Sequence, residues 1–202
     1  MNRRTLGCFF ELLETFLITL VIFLLVQLFV AQPFQVQKLT MENTLMPDQY
    51  VLVDKLTPRF EDLHRGDIVV FNPPPGSAQD PSGMPFAERV IGAGGDTVDI
   101  HGGHVYINGD QLTEAYVLKN QTTDMPDGGS RTWKLKAGQV FVMGDNRQNP
   151  QSRDSRDFGP VDKSSVIGRA WLRYWPFSKF GLIPQGNQPP APGGSPASSK
   201  AP

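Results

Sequence analysis

A single apolar segment near the N-terminus constrains this chain more than any other feature. No charged residue lies between Glu14 and Lys38, and residues 12–31 are almost entirely apolar. A helix needs about 20 residues to cross a hydrocarbon core of about 30 Å. Lipid offers no partners for backbone polar groups, so a spanning segment must be helical. We therefore predict one transmembrane helix over residues 12–31.

A cleavable signal peptide is the competing interpretation of this segment. Such a peptide has an apolar region of about 7–15 residues followed by a small-x-small cleavage site. The run here is longer, and Ala31 has no small residue two positions away, which favours a retained anchor. Arg3 and Arg4 precede the span, so the positive-inside rule predicts a cytoplasmic N-terminus over residues 1–11. The remainder is then extracytoplasmic, which predicts a single-pass protein of the cell membrane.

Length and charge narrow the classes of protein that fit. The 202 residues suit an anchor, one further domain and a tail. A net charge of −1 and a pI of about 6.3 give no basic patch, so nucleic acid is not expected as a partner. The one cysteine, Cys8, precedes the apolar segment. A single cysteine excludes a disulfide framework and a cysteine-built metal site.

Residues 32–183 have the pattern of a mainly β domain. Short apolar runs are separated by turn residues, and Asn108-Gly109 is typical of a type I′ hairpin. No segment after Ala31 has a sustained helical period. Residues 184–202 are rich in Pro, Gly and Ser, which predicts a disordered tail. The predicted strands are residues 50–53, 68–71, 97–100, 105–107 and 139–143.

Three segments in a fixed order make the chain recognisable. Residues 33–45 are similar to a stretch ending in Ser-Met-x-Pro-Thr-Leu, and residues 88–98 to Lys-Arg-Val-Ile-Gly-x-Pro-Gly-Asp. Residues 144–147, 154–161 and 168–170 are similar to Gly-Asp-Asn-Arg, Asp-Ser-Arg with Phe-Gly, and Gly-Arg-Ala. These motifs are those of bacterial type I signal peptidases, which the chain resembles over roughly residues 12–180.

The resemblance implies a fold, an activity and partners. The fold is the antiparallel β-sheet of signal peptidases, with residues 105–115 similar to the family's inserted hairpin. The activity is removal of signal peptides by a serine nucleophile and a lysine general base, without a metal or another cofactor. Signal peptides or translocated proteins, together with membrane lipid, are the implied partners.

Both members of the catalytic pair are replaced in this chain. By the resemblance, Thr40 occupies the nucleophile position and Glu88 the general-base position. Lys38 stands where part of the family has a serine that helps the oxyanion hole, and Asn43 stands where the family has proline. Ser155 matches the serine that positions the lysine.

Two further groups of residues carry over from the family. The first would support the site structurally, and the second would form shallow apolar pockets for small side chains of the substrate. Ordinary packing in the core of the sheet is an equal alternative for the second group. The support residues are Asp145, Arg147, Asp154 and Arg156, and the pocket residues are Phe34, Val36, Leu45, Phe86 and Ala87.

The chemistry of the family argues against an active site of the usual kind. Attack on an amide needs an alcohol that is deprotonated as it reacts, and the lysine acts as base only when neutral. A carboxyl group at position 88 would become a neutral acid in a dry pocket, and if ionised its pKa near 4 makes it a poor base. The sequence therefore favours a non-proteolytic peptide-binding or assembly factor with a degenerate Ser/Lys dyad.

Two alternatives to that interpretation remain at the level of sequence. The first is an active signal peptidase that cleaves after small residues with Thr40 as nucleophile. In an extended segment residues 38 and 40 share a face, so Lys38 is expected to form an ion pair with Glu88 or, alternatively, a relocated dyad with Thr40. The second is the related Ser/Lys autoproteolytic fold of repressors, which the span and the lack of a DNA-binding segment argue against.

Aromatic residues cluster near the C-terminal end of the predicted domain. Packing in the core is the first expectation for them, and contact with the membrane interface is the alternative. The cluster comprises Trp171, Tyr174, Trp175, Phe177 and Phe180.

Overall fold

The structure, a computed structural model, describes residues 3–75, 84–149 and 152–186. It begins with helix α1 (Arg3–Leu25), which continues as a π-helical turn over Val26–Val30. Within this helix Phe10–Val30 is long and apolar enough to cross a membrane, with a mean hydropathy of 2.5 and no part buried against the protein. The helical segment ends one residue before the predicted boundary, because Ala31 already belongs to the first strand.

Antiparallel strands make up most of the chain after this helix, which confirms the predicted mainly β fold. The predicted absence of long helices is also confirmed within the described residues, where only α2 (Thr57–Phe60), α3 (Ser155–Phe158) and three single 3₁₀ turns follow. The strands are β1 (Ala31–Gln35), β2 (Tyr50–Asp54), β3 (Ile68–Phe71), β4 (Phe86–Ala93), β5 (Thr97–His101), β6 (His104–Ile107), β7 (Asp110–Gln111), β8 (Arg131–Lys134), β9 (Gln139–Met143), β10 (Val161–Asp162), β11 (Val166–Trp175) and β12 (Gly181–Leu182).

The strands form two sheets. The larger has the order β1-β2-β11-β3-β4-β9-β10, with β12 paired to β11, and the smaller has the order β7-β6-β5-β8. All the pairings between the described strands are antiparallel. In the smaller sheet Asn108 and Gly109 both have positive φ, 55° and 94°, as a type I′ turn requires. The predicted hairpin is therefore confirmed.

Strand β3 shows where the core lies. Its four apolar residues are buried without alternation. Ile68 and Val70 pack into one apolar cluster, whereas Val69 and Phe71 pack into another. A central strand with both faces covered needs an uninterrupted apolar sequence, because each face must lose its water.

Residues 184–186, the first three of the predicted tail, contact the domain, and the prediction of core packing for the aromatic cluster is wrong. The tail was predicted to be disordered from Pro184, but Gln185 accepts a hydrogen bond from the Ile68 backbone at 3.0 Å, and the Gly186 backbone donates to Gly66 at 3.1 Å. These contacts tie residues 184–186 to the edge of the domain, and the predicted tail beyond them lies outside the described residues. The aromatic cluster is not core, since Phe177 is 76% exposed and Phe180 62% exposed.

Candidate functional site

Thr40 lies at the centre of a 3₁₀ turn (Leu39–Met41) that follows β1, and it is buried. The Asn146 backbone donates a hydrogen bond to the Thr40 carbonyl at 2.9 Å. Between them Gly144 approaches so closely that a Cβ atom there would lie 2.5 Å from the Thr40 oxygen. Only glycine permits this approach. The glycine that opens the third motif therefore has a packing role, which is to bring the segment after β9 against Thr40.

Glu88 projects from β4 beside Thr40 and is 1% exposed. Its Oε2 atom has no hydrogen-bond partner among the described residues. Burial raises the pKa of this carboxyl group well above its usual range, and the negative charge of Asp154 raises it further. Hydrogen bonding with Thr40 lowers the pKa and offsets only part of the increase. Burial and the Asp154 charge therefore both favour the neutral form of the group at the general-base position.

The predicted ion pair between Lys38 and Glu88 is wrong. The Lys38 ammonium lies 3.8 Å from the centre of the Phe86 ring. The Glu88 Oε2 atom accepts no hydrogen bond among the described residues, so the ammonium does not bond to it. The reason is conformational: Thr40 sits in a 3₁₀ turn and not in a strand. The expectation that residues 38 and 40 share one face, on which the relocated dyad also depended, does not apply.

Ser155 begins α3 and is fully buried. Its hydroxyl accepts a hydrogen bond from the Val142 backbone at 2.9 Å, which ties α3 to β9. The preceding Asp154 caps α3 by accepting from the Arg156 backbone at 3.0 Å, as N-cap residues do. These contacts fix the position of Asp154, whose negative charge raises the pKa of the Glu88 carboxyl group.

The four predicted support residues form three separate buried ion pairs. Asp154 pairs with Arg156 at 2.8 Å. Arg147 pairs with Glu114, and it also donates to the Gly144 carbonyl at 2.8 Å. The third pair joins Asp145 to Arg89 and is described next. Glu114 was missed because it lies between motifs, where no sequence pattern marks it.

Arg89 is the second functional residue that the sequence did not identify. It is 0% exposed, and its guanidinium donates to both carboxylate oxygens of Asp145 at 2.7 Å. It also donates to the Gly66 carbonyl at 2.8 Å and lies over the Tyr116 ring at 4.2 Å. Arg89 follows Glu88 directly in the second motif, where the similar motif Lys-Arg-Val-Ile-Gly also has an arginine, and this match was an available signal. This pair fixes the third motif against β4.

A cavity of about 170 Å³ opens beside Thr40 and Glu88. It runs between the segment after β1 and the start of β4. Residues 86–88 pair with β3 on one side, and the pairing of β9 begins only at Arg89, so the other side of this stretch borders the cavity. Four of the five predicted pocket residues line it, namely Phe34, Val36, Phe86 and Ala87.

Leu45 is the exception among the predicted pocket residues. It is 0% exposed and packs in the core with Met41 and Val51. The turn after Thr40 explains this, because the Leu45 backbone donates to the Met41 carbonyl at 2.8 Å and directs the side chain inward. Of the two interpretations given by the sequence, core packing is the correct one for Leu45.

Asn43 shows that the turn differs from the family motif. Its φ is 94°, and its side chain donates to the Tyr116 carbonyl at 2.7 Å. Proline, the residue of the family at this position, fixes φ near −65° and could not adopt this conformation. Asparagine tolerates positive φ better than most residues. The substitution at position 43 is thus matched to the backbone of this chain.

Replacing Glu88 with glutamine is expected to flatten the pH dependence of stability. The folded pKa of Glu88 is raised, so the folded protein retains a proton that the unfolded chain releases above about pH 4.3. The stability from this group is full below that pH and falls as pH rises towards the folded pKa, by at most about 1.4 kcal/mol per pH unit. Glutamine keeps the shape and does not titrate.

The measurement is urea unfolding of the full chain in detergent, at several pH values from about 4 to 9. Glu61→Gln, at an exposed position, is the matched control and should keep the slope of the unsubstituted protein. An unchanged slope in Glu88→Gln would mean that Glu88 is ionised in the folded protein.

The chain combines one candidate membrane span with a β-sheet domain, and that domain has a groove beside a buried hydroxyl group. This is the architecture of a peptidase-like class of proteins. Comparison with known proteins identifies the family within that class. The family described as signal peptidase, peptidase S26, matches residues 9–175. The chain therefore belongs to the signal peptidase S26 family.

Individual relatives agree with this assignment. The chain is 35% identical over 176 residues to the probable signal peptidase I-1 of Synechocystis sp., and the match covers 86% of each chain. It is 36% identical over 175 residues to signal peptidase I of Leptolyngbya laminosa, covering 86% of this chain and 83% of that one. Signal peptidase IB of Staphylococcus aureus is 30% identical over 186 residues, covering 84% and 93%.

A solved structure is also similar to this chain. It is a signal peptidase I from Enterococcus faecalis V583, with 34% sequence identity and a TM-score of 0.42. The similarity covers 54% of this chain and 97% of that chain.

Proposed function

We propose that this chain is a non-proteolytic signal peptidase homologue, which binds signal peptides or translocated proteins as a peptide-binding or assembly factor. The observation that carries the proposal is the state of Glu88. A buried carboxyl group with a raised pKa stands beside the hydroxyl of Thr40. In its neutral form this carboxyl group already carries a proton, so it cannot act as the general base.

Hydrolysis would require Thr40 to lose its proton during attack. A positioned general base contributes roughly 10²–10⁴-fold to such a step. Ionising Glu88 to provide that base would place a charge in a dry site that faces Asp154, with no hydrogen-bond partner for Oε2 among the described residues. The free-energy cost of an unpaired buried charge is large. The pair is therefore expected to remain as a neutral acid and an intact hydroxyl.

Binding depends on different features, which the chain keeps. Phe34, Val36, Phe86 and Ala87 give the cavity apolar walls suited to small side chains. The side of β4 at residues 86–88 that faces away from β3 offers backbone groups to an extended peptide. Addition of a strand at such an edge supplies affinity through backbone hydrogen bonds, and pockets beside it supply specificity.

An active signal peptidase with Thr40 as nucleophile is the alternative function. It needs a base other than Glu88, and Lys38 is the cation nearest in sequence. The Lys38 ammonium packs on the Phe86 ring, which is a wall of the cavity that Thr40 also lines.

The proposal includes an orientation in the cell membrane. Arg3 and Arg4 place the N-terminus in the cytoplasm by the positive-inside rule. The β domain then lies on the extracytoplasmic side, where peptides of translocated proteins are present.

Replacing Ala87 with leucine is expected to weaken peptide binding by about tenfold or more, because added methylene groups fill the cavity. The ligand is a fluorescent peptide that contains Ala-x-Ala, and the receptor is the full chain in detergent. Fluorescence anisotropy measures the dissociation constant. Ala137→Leu adds the same group at an exposed position and should leave binding unchanged. Absence of binding by the unsubstituted protein, or equal binding by both variants, would contradict the proposal.

A further inference from the structure

A second cavity lies at the end of the candidate membrane span, away from the peptide groove. The Lys55 backbone donates a hydrogen bond to the Val30 carbonyl at 2.9 Å, and the Lys55 ammonium donates to the Leu28 carbonyl at 2.8 Å. Both acceptors belong to the last turns of the span Phe10–Val30. Lys55 lines a cavity of about 630 Å³, so this cavity is level with the end of the apolar helix.

The residues that line this cavity are cationic or neutral. Three of them are positively charged, and no acidic residue is among the described residues that line it. Hydroxyl and amide groups supply further hydrogen-bond donors. The cations are Lys55, Arg59 and Lys163, and the neutral polar residues are Asn72, Ser164 and Ser165.

The acidic residues near the cavity do not cancel this charge. Asp62 pairs with Lys163 at 3.0 Å, but the Asp62 side chain is 94% exposed, and such exposed pairs are weak. Asp54 accepts hydrogen bonds from the Leu56 and Thr57 backbone at 2.8 and 3.2 Å. It therefore caps the start of α2. Lys55 itself is bonded to a carbonyl, which orients its ammonium without neutralising it.

Exposed apolar side chains stand beside the cations. Phe60, the last residue of α2, is 82% exposed, and Leu56, the residue before α2, is 36% exposed. Apolar groups next to basic groups are the pattern of a surface at a lipid–water interface. Exposure of this kind would be unfavourable in water but is accounted for if α2 meets the membrane.

We propose that this cavity binds the phosphate group of an anionic phospholipid from the membrane leaflet that faces the β domain. A phosphate needs several donors and positive charge, and the three cations with the two serine hydroxyls supply both. The membrane is the source of the phosphate, because the Lys55 contacts fix the cavity at the end of the span. Headgroup binding would hold the β domain at a set height and angle relative to the bilayer.

The test compares lipids on the full chain in detergent by native mass spectrometry, which measures the affinity of each lipid adduct. Basic residues near an anionic lipid surface contribute about 1 kcal/mol each. Lys55→Met/Arg59→Gln/Lys163→Met is therefore expected to weaken phosphatidylglycerol binding by roughly 100-fold. Phosphatidylcholine, whose choline group compensates the phosphate charge, should bind more weakly than phosphatidylglycerol to the unsubstituted protein.

The matched control removes three exposed cations elsewhere, Lys119→Gln/Lys134→Gln/Lys136→Gln. It makes the same change in net charge and should keep the affinity of the unsubstituted protein. If the first variant does not fold, Arg59→Gln/Lys163→Gln keeps the Lys55 contacts with the helix and should still weaken binding by roughly 30-fold.

Three results would overturn the proposal. One is equal loss of phosphatidylglycerol binding in the cavity and control variants, which would indicate an effect of overall charge. The second is unchanged binding in the cavity variants. The third is binding of inorganic phosphate as tight as that of the lipid, which would indicate a site for a free anion.

Discussion

Replacing Arg89 with alanine is expected to lower the free energy of unfolding by about 3–5 kcal/mol. Arg89 is fully buried and donates to both carboxylate oxygens of Asp145 at 2.7 Å. Removing the guanidinium would leave the Asp145 carboxylate without its charge partner in the interior. The Gly66 carbonyl would also lose a hydrogen bond of 2.8 Å. The first loss acts on the contact between β4 and the third motif, and the second on the contact between β4 and the turn before β3.

Urea unfolding of the full chain in detergent, followed by tryptophan fluorescence, measures this effect. Arg131→Ala is the matched control, because Arg131 forms an ion pair with Asp127 that is exposed on both sides. Its expected cost is about 1 kcal/mol or less. A loss below about 1 kcal/mol for Arg89→Ala would mean that this buried pair does not stabilise the site.

The second large effect is a gain of activity. The double substitution Thr40→Ser/Glu88→Lys is expected to produce peptide cleavage at least about 10²-fold above the unsubstituted protein. Serine removes the methyl group next to the hydroxyl. A lysine at position 88 would occupy a site that is completely buried, and burial disfavours its charged form and makes the amine available as a base.

Asp154 is the charge that works against this gain, since it acts on position 88. Its ion pair with Arg156 at 2.8 Å limits that effect. The single variants Thr40→Ser and Glu88→Lys serve as controls, and each should remain below the double variant because a base without a matched nucleophile is ineffective. No gain in a folded double variant that still binds peptide would show that more than two side chains separate this chain from an active peptidase.

The sequence predicted the elements whose pattern is local. The span was recognisable because lipid demands a long uncharged helix, and β3 and β9 were recognisable because buried strands need continuous apolar residues. Strands β4 and β11 were missed, since each carries charged residues that interrupt its apolar pattern. Arg89 illustrates this, because Asp145 neutralises it in the fold and nothing near it in sequence does so.

The candidate site was predicted in composition but not in geometry. Motif order predicted that Thr40 and Glu88 lie in one region, and both residues line the same cavity. The Lys38–Glu88 ion pair was expected because residues 38 and 40 were assumed to share a face, but Thr40 lies in a 3₁₀ turn and the Lys38 ammonium packs on the Phe86 ring. For Leu45 the sequence left pocket and core equally open, and the structure places it in the core. Residue identity at a motif position indicates a role, whereas side-chain direction depends on backbone turns that the motif does not encode.

The central claim is that the chain holds peptides without cutting them, and one assay tests it directly. The full chain in detergent is incubated in excess over a peptide containing Ala-x-Ala, and mass spectrometry follows the product over time. The account predicts no more product than is formed by a Thr40→Ala variant that binds the peptide equally well. Product formed by the unsubstituted protein and lost on Thr40→Ala would contradict it and identify Thr40 as a working nucleophile.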